Sequence, residues 1–341
     1  MAEENSINAL PVLCAAILTA AALYFGSAIF APVAVSLFVI AILWPLQKSL
    51  ESRIPRLIAL LLTLAATVVI IGTLASMIAW GIGMVGRWLM ANIGRFYVLY
   101  GMTTEWLEGH GILLAGPLSE RFNVLSLVRM FQEVAVRING LVGFSLMVLI
   151  FTMLGLLEVG DFRQKLQALR NGAVAERMLA ATASISGKFR KYLLVRTLAS
   201  ILTGLVVWGF TFALDIELAA AWGVIAFALN YIPVIGPLIA TVLPTLFTAA
   251  QFESWQMALL VFLGLNVIQF VIGSYLEPRF SGSALAISPF VVVLAVFFWS
   301  FLWGIPGAFL AVPITAIITI VLSEFPGTRP IAVLLSQSGR I

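Results

Sequence analysis

The chain has 341 residues, 62% of them hydrophobic and only 10% charged, with a mean hydropathy of +1.11. Soluble globular proteins carry roughly 25% charged residues, and a compact body of this size could not bury so much apolar surface. A soluble enzyme or a nucleic-acid binder is therefore excluded, and the bilayer is the solvent. One histidine, His110, and one cysteine, Cys14, also exclude a zinc or iron–sulfur centre, a disulfide framework and a Cys–His pair. No metal and no cofactor is expected. The net charge of +4 reads as membrane orientation, because of where the charges sit.

Charged side chains fence the spans, since one at the bilayer centre costs roughly 2.5–3.5 kcal/mol. From the N-terminus the uncharged windows hold 43 residues (Glu4 to Lys48), 30 (Arg56 to Arg87), 20 (Arg137 to Glu158) and 18 (Arg196 to Asp215). Then come 35 (Glu217 to Glu253), 23 (Glu253 to Glu277) and 44 (Arg279 to Glu324). A helix needs about 20 residues to cross, so the first and last windows hold two segments each. The expected fold is an all-α polytopic membrane protein with about eight hydrophobic segments. Gly26 and Pro32 divide the first window into helices near 9–28 and 32–46. Pro233, Gly236 and Pro237 cut the 35-residue window into pieces too short to span comfortably. Gly304, Pro306, Gly307 and Pro313 break the last one. Each break is open to two readings, a re-entrant hairpin or one kinked crossing, although proline and glycine are also common in ordinary membrane helices.

The implied layout is three membrane helices in 1–86, an extramembrane amphipathic region in 87–137 and a fourth membrane helix in 138–160. A basic connector at 161–191, a transport core at 192–323 and a tail at 324–341 complete it. Residues 47–56 and 161–196 are rich in lysine and arginine, whereas the turn at 214–218 has Asp215 and Glu217 and no base. The positive-inside rule puts the first two in the cytoplasm and the third outside, and counting crossings places both termini inside. Arg121, Arg129, Glu133 and Arg137 fall on one face of an amphipathic helix expected at 119–138. Residues 173–191 read as a second such helix, at the anionic headgroups. The opening Met-Ala-Glu-Glu lacks a basic n-region, so the first apolar segment is expected to stay as an anchor.

No catalytic centre emerges. His110 sits in the loop Glu-Gly-His-Gly with no triad partner, and neither HExxH nor GxxxxGK[ST] occurs. The chain is not expected to be an enzyme, nor to couple transport directly to ATP. Polar groups at the edges of the apolar windows remain. In Asn230-Tyr-Ile-Pro233-Val-Ile-Gly236-Pro237 the prolines remove backbone donors, so a break there would offer free carbonyls to a cation or solute. Asn230 would add a donor and an acceptor. In Glu277-Pro278-Arg279-Phe-Ser-Gly282 the carboxylate reads as a proton or cation site with Arg279 as partner, or as a headgroup salt bridge. Asn266 and Gln269 share a helix face, as lining or as interhelical glue. Arg196, Ser200 and Thr203 form one stripe, with Arg196 at the cytoplasmic mouth. Trp208, Trp222, Trp255, Trp299, Phe301 and Trp303 read as an interfacial belt.

Four strings, in this order, resemble the autoinducer-2 exporter family of bacterial membrane proteins. They are Tyr192–Gly204 (YLLVRTLASILTG), Asn230–Pro237 (NYIPVIGP), Leu276–Gly282 (LEPRFSG) and Trp303–Pro313 (WGIPGAFLAVP). The resemblance covers the C-terminal half by motif and the N-terminal half by layout alone. It implies a multi-pass protein of the bacterial inner membrane that transports small solutes, the furanosyl signal autoinducer-2 being the namesake, and that can form homo-oligomers. Some relatives resemble sodium or lithium/proton antiporters, which would make H+ or Na+ a partner; the few intramembrane carboxylates here weigh against that. On this reading Asn230, Pro233, Gly236 and Pro237 form a first broken element of the pathway, and Gly304, Gly307 and Pro313 a second. Glu277, Pro278, Arg279 and Gly282 form a gate or coupling site, and Arg196, Ser200, Thr203, Asn266 and Gln269 line the path. The expected partners are lipid and a small polar solute, not nucleic acid. A non-transporting scaffold using 87–137 and 161–196 is the rival outside the transporter class.

Overall fold

The computed structural model describes residues 2–110, 143–160, 172–281, 287–325 and 327–337. Gly282, the expected amphipathic helix at 119–138 and residues 161–171 of the connector lie outside that set. We number the helices α1 (Ala2–Phe25), α2 (Ser27–Glu51), α3 (Arg56–Ala91), α4 (Ile93–Gly109), α5 (Gly143–Gly160), α6 (Gly172–Ala213) and α7 (Ala219–Leu229). They continue as α8 (Ile235–Phe252), α9 (Trp255–Gln269), a π-helix (Phe270–Leu276), α10 (Glu277–Ser281), α11 (Pro289–Trp303), α12 (Ile305–Glu324) and α13 (Arg329–Leu335). Among the described residues, 7 helices are long and apolar enough to cross a membrane, and stretches of α1, all of α7 and all of α11 are shorter apolar helices. The all-α polytopic architecture expected from the charge-free windows is the one found. Lipid contact is written on the spans: in α6, Leu194, Leu198 and Leu205 are exposed while Val195, Ala199 and Val207 are buried.

The helices gather into two units. The first comprises residues 1–66, 143–191 and 284–341, and the second 67–142 and 192–283. The stretch 192–323, expected as one transport core, thus contributes to both.

In the first unit Ile40 of α2 packs with Leu60 and Leu156, and Phe38 meets Phe189 edge-on at 4.2 Å. Helices α11 and α12 form a hairpin. The amide of Ser288, just before α11, donates to the Leu335 carbonyl beyond the far end of α12, so the two arms run antiparallel. Gly304 makes the reversal at φ 64° and ψ −137°, a region that essentially only glycine enters without strain. Pro313 does not break the second arm; α12 runs through it as one helix. The indole of Trp303 donates to the Leu23 carbonyl at 3.1 Å, and Trp299 is buried.

The second unit holds a core of Val85, Trp88, Phe96, Val207, Trp222, Phe247, Val261 and Leu265. Trp222, also expected in the interfacial belt, is 2% exposed, and its ring meets Phe247 of α8 at 5.1 Å. That contact joins the start of α7 to the end of α8, so this pair is a hairpin as well and not a kinked crossing. Its 11-residue first arm is about 16 Å long, half the hydrocarbon thickness. The open end is clamped. Trp88 donates to Glu217 at 2.5 Å, the Gln251 amide donates to the Asp215 carbonyl and accepts from the Glu217 amide, and Arg95 donates to the Gln251 carbonyl.

Two glycines set how closely α6 and α7 approach. A Cβ on Gly204 would lie 2.9 Å from the Gly223 carbonyl oxygen, and one on Gly223 would lie 2.8 Å from that of Gly204. Gly223→Val is therefore expected to lower unfolding stability by about 1–3 kcal/mol through overpacking. Gly72→Ala, where a Cβ meets nothing within 4 Å, should leave it unchanged or slightly raised. Urea unfolding of both variants in detergent, followed by tryptophan fluorescence, checks the pair.

Candidate functional site

From Tyr192 onward α6 belongs to the second unit and carries the stripe Arg196, Ser200 and Thr203, all buried. An arginine within a membrane span needs a counter-charge. The structure supplies Glu277: the Arg196 Nη1 donates to both carboxylate oxygens at 2.7 Å, with side-chain exposures of only 9% and 17%. Removing one partner of such a pair strands a charge, whereas removing both does not.

The helix geometry of α9 explains why Glu277 is available. Ala258, Val261 and Leu265 are its buried positions, and Ile272 continues them into the following π-helix. Continued as an α-helix beyond Ile272, that face would next carry Leu276 and Arg279. Phe270–Leu276 instead form a π-helix, whose bonds close over five residues. Glu277 lies five residues after Ile272 and so arrives on the buried face, while Arg279 is turned outward. The expected Glu277–Arg279 pairing is thereby replaced by Glu277–Arg196. Arg279 is exposed, donates to the Tyr275 hydroxyl at 2.8 Å and sits 5.2 Å from that ring's centre. Pro278 is the second residue of α10.

The tip of the α7–α8 hairpin comes down on the same stripe. Asn230, 4% exposed, donates its amide to the Ser200 hydroxyl at 3.1 Å, and the Tyr231 hydroxyl donates to Thr197 at 3.0 Å. The carbonyls expected to be freed by the prolines are engaged. Pro233 cannot donate to Leu229, but the Ile232 amide does so at 2.9 Å; Pro237 cannot donate to Pro233, but the Ile235 amide does so at 2.7 Å. Gly236 closes the turn by donating to Ile232, and a Cβ there would run into the Leu229 carbonyl. Between them Val234 is held at φ 65°, a costly conformation for a β-branched residue. The Leu229 and Pro233 carbonyls are thus not left free by the break.

The other expected site residues divide. Gln269, just before the π-helix, has a buried amide nitrogen with no hydrogen-bond partner among the described residues, and Thr203 likewise has a buried, unpartnered hydroxyl. Asn266 is exposed and returns its amide to the Phe262 carbonyl of its own helix at 2.7 Å, apart from this cluster. Gly304, Gly307 and Pro313 belong to the first unit. Thr197 and Tyr231 were not singled out from the sequence, although both lie inside the quoted strings. No group of three or more His, Cys, Asp or Glu able to hold a metal occurs among the described residues.

A buried ion pair and a polar hairpin tip, set among helices long and apolar enough to cross a membrane, fit a polytopic membrane protein with a polar interior. Comparison with known proteins agrees. Residues 13–327 match the family described as AI-2E family transporter. The chain is 32% identical over 315 residues to the AI-2 transport protein TqsA of Escherichia coli K12, covering 92% of this chain and 91% of that one. It is 26% identical over 348 residues to a provisionally named transport protein of Haemophilus influenzae, covering 98% of each. With YhhT of E. coli K12, also provisionally named a transport protein, it shares 25% identity over 339 residues, 98% of this chain and 95% of the relative. The chain belongs to the AI-2E family of transporters. It is a multi-pass protein of the bacterial inner membrane and not an enzyme.

A double-mutant cycle tests the pair. Arg196→Met and Glu277→Leu should each cost about 3–5 kcal/mol in detergent unfolding, and the double variant clearly less than their sum. Additive losses would mean that the two charges do not stabilise one another.

Proposed function

We propose that this transporter exports a small, uncharged, hydroxyl-rich solute as a secondary carrier or facilitator, with autoinducer-2 as the first candidate. The observation that carries this reading is the convergence of the Arg196–Glu277 pair with the Asn230–Ser200 and Tyr231–Thr197 bonds at the tip of the α7–α8 hairpin. The pair is internally neutral, and the groups around it are hydroxyls and amides, which suit hydroxyl groups better than a fixed charge. The relative named an AI-2 transport protein supplies the candidate substrate. Lys188, Arg190 and Lys191 immediately precede the stripe, so the positive-inside rule assigns this end of α6 to the cytoplasm, where an exporter loads. In this reading Asn230, Pro233, Gly236 and Pro237 form a broken element of the pathway, and Glu277, Pro278, Arg279 and Gly282 form a gate or coupling site. In the same reading Gly304, Gly307 and Pro313 of the α11–α12 hairpin form a second such element.

Sodium or lithium/proton antiport fits less well, because the Glu277 carboxylate is already held by the Arg196 guanidinium, which a transported cation would have to displace. Labelled autoinducer-2 should accumulate in inside-out vesicles relative to empty-vector vesicles, and an uncoupler should abolish the accumulation if export is gradient-driven. Asn230→Leu should lower kcat/KM roughly tenfold, the worth of one hydrogen bond in a buried site. Uptake equal to the empty-vector control would reject the substrate, and sodium- or lithium-driven proton exchange would then favour the antiporter.

A further inference from the structure

Threonines in the membrane helices of this protein mostly satisfy their hydroxyls locally. Thr63, Thr211, Thr241, Thr245, Thr248, Thr315 and Thr319 each donate to the carbonyl four residues back, at 2.7–2.9 Å. Thr203 of the second unit and Thr152 of the first depart from that habit. Thr203 is 0% exposed, and its hydroxyl meets neither its own helix nor any other described residue. The Arg196 Nε and the Gln269 Nε2 are buried and unpartnered in the same unit. Buried polar atoms are seldom left so without a reason in function.

Their placement follows from two contacts that fix the register of α6 against α9. Arg196 meets Glu277, and the Phe210 ring lies where a Cβ on Gly264 would be. The helices therefore run antiparallel, and Thr203 is midway between Arg196 and Phe210. Seven residues make two turns, so Thr203 shares their face and looks toward α9, about 10 Å along the axis from the ion pair. The matching midpoint between Gly264 and Glu277 falls at the junction of Gln269 with the π-helix. Local widening of this kind is frequent at functional sites.

We propose that Thr203 and Gln269 form a subsite for an uncharged oxygen group of the transported solute, one step along the path from the Arg196–Glu277 pair. A hydroxyl and a primary amide each donate and accept, which matches a solute hydroxyl, itself both donor and acceptor. The nearby ion pair is already neutralised, so no charge on the solute is called for. This subsite rests on the transport reading above, and its test separates the two.

In vesicles that accumulate autoinducer-2, Thr203→Val keeps the side-chain shape and removes the hydroxyl. It should raise KM roughly tenfold, as should Gln269→Leu, while Thr203→Ser restores the wild-type value. The thermal midpoint of the detergent-solubilised protein should not fall in any of the three. An unchanged KM in Thr203→Val, or a fallen midpoint accounting for the defect, overturns the subsite and leaves export standing. If the wild-type protein moves no autoinducer-2, the transport reading fails by itself and a substrate-free readout judges the subsite. In full-length protein with Cys14→Ser, Thr203→Cys should react with a charged methanethiosulfonate reagent, while Leu205→Cys, on the lipid-exposed face, should not. An inert Thr203→Cys, as a packed interior or a single trapped water would give, overturns it.

Discussion

Hydrocarbon offers neither a counter-ion nor a hydrogen-bond partner, so a charge set within a membrane bundle must bring its own. Arg196 and Glu277 meet that demand for each other, and much of the second unit is arranged around the result. The pair fixes the register of α6 against α9, which the packing of Phe210 onto Gly264 repeats further along. It also explains the π-helix. Without the wide turn over Phe270–Leu276, the buried face would carry Leu276 and Arg279, opposing Arg196 with apolar surface and a like charge. A locally poorer helix is tolerated because the alternative leaves a guanidinium unneutralised.

The same constraint governs the two reversals. A break in lipid exposes backbone groups, and both hairpins close their turns with their own amides. They differ in the residue at the turn. Gly304 takes its positive φ without strain, whereas Val234 takes one as a β-branched residue. Such strain persists only where the surroundings hold it. Around Val234 the holding contacts are Asn230 on Ser200 and Tyr231 on Thr197, so the strained turn and the polar cluster are one feature.

The architecture was largely legible in the sequence, because spans in lipid are dictated by the spacing of charges and breakers. The windows bounded by Glu4, Lys48, Arg56 and Arg87 marked α1 to α3, and Pro233-Val-Ile-Gly236-Pro237 marked a real reversal. Whether that break was a hairpin was not legible, since it depends on contacts such as Trp222 with Phe247, distant in sequence. The stripe of Arg196, Ser200 and Thr203 was visible by helical spacing, and so was the importance of Glu277. Its partner was misread for a physical reason. Neighbours two apart were paired by proximity, while a π-helix, which leaves no reliable composition signal, had rotated one of them onto another face. Trp222 and Trp299 were read as interfacial because tryptophan favours that depth; that both rings are also buried in packing was not legible, since their neighbours are set by the fold.

The α7–α8 hairpin is held unequally at its two ends. At the open end Glu217 accepts from Trp88, Gln251 bridges to Asp215 and Glu217, and Arg95 reaches the Gln251 carbonyl while lying 5.9 Å from the Trp88 ring centre. Several of these contacts carry formal charge, and charge-assisted bonds are roughly twice as strong as neutral ones. At the tip the hydrogen bonds of Asn230 and Tyr231 to the stripe are neutral, each contributing about 1 kcal/mol net, and the Tyr231 ring meets Phe227 edge-on at 5.6 Å. Strain at Val234 offsets part of even that. The two ends thus differ in kind: bonds to charged groups hold the base, while neutral bonds join the tip to Ser200 and Thr197 of the polar stripe beside the ion pair.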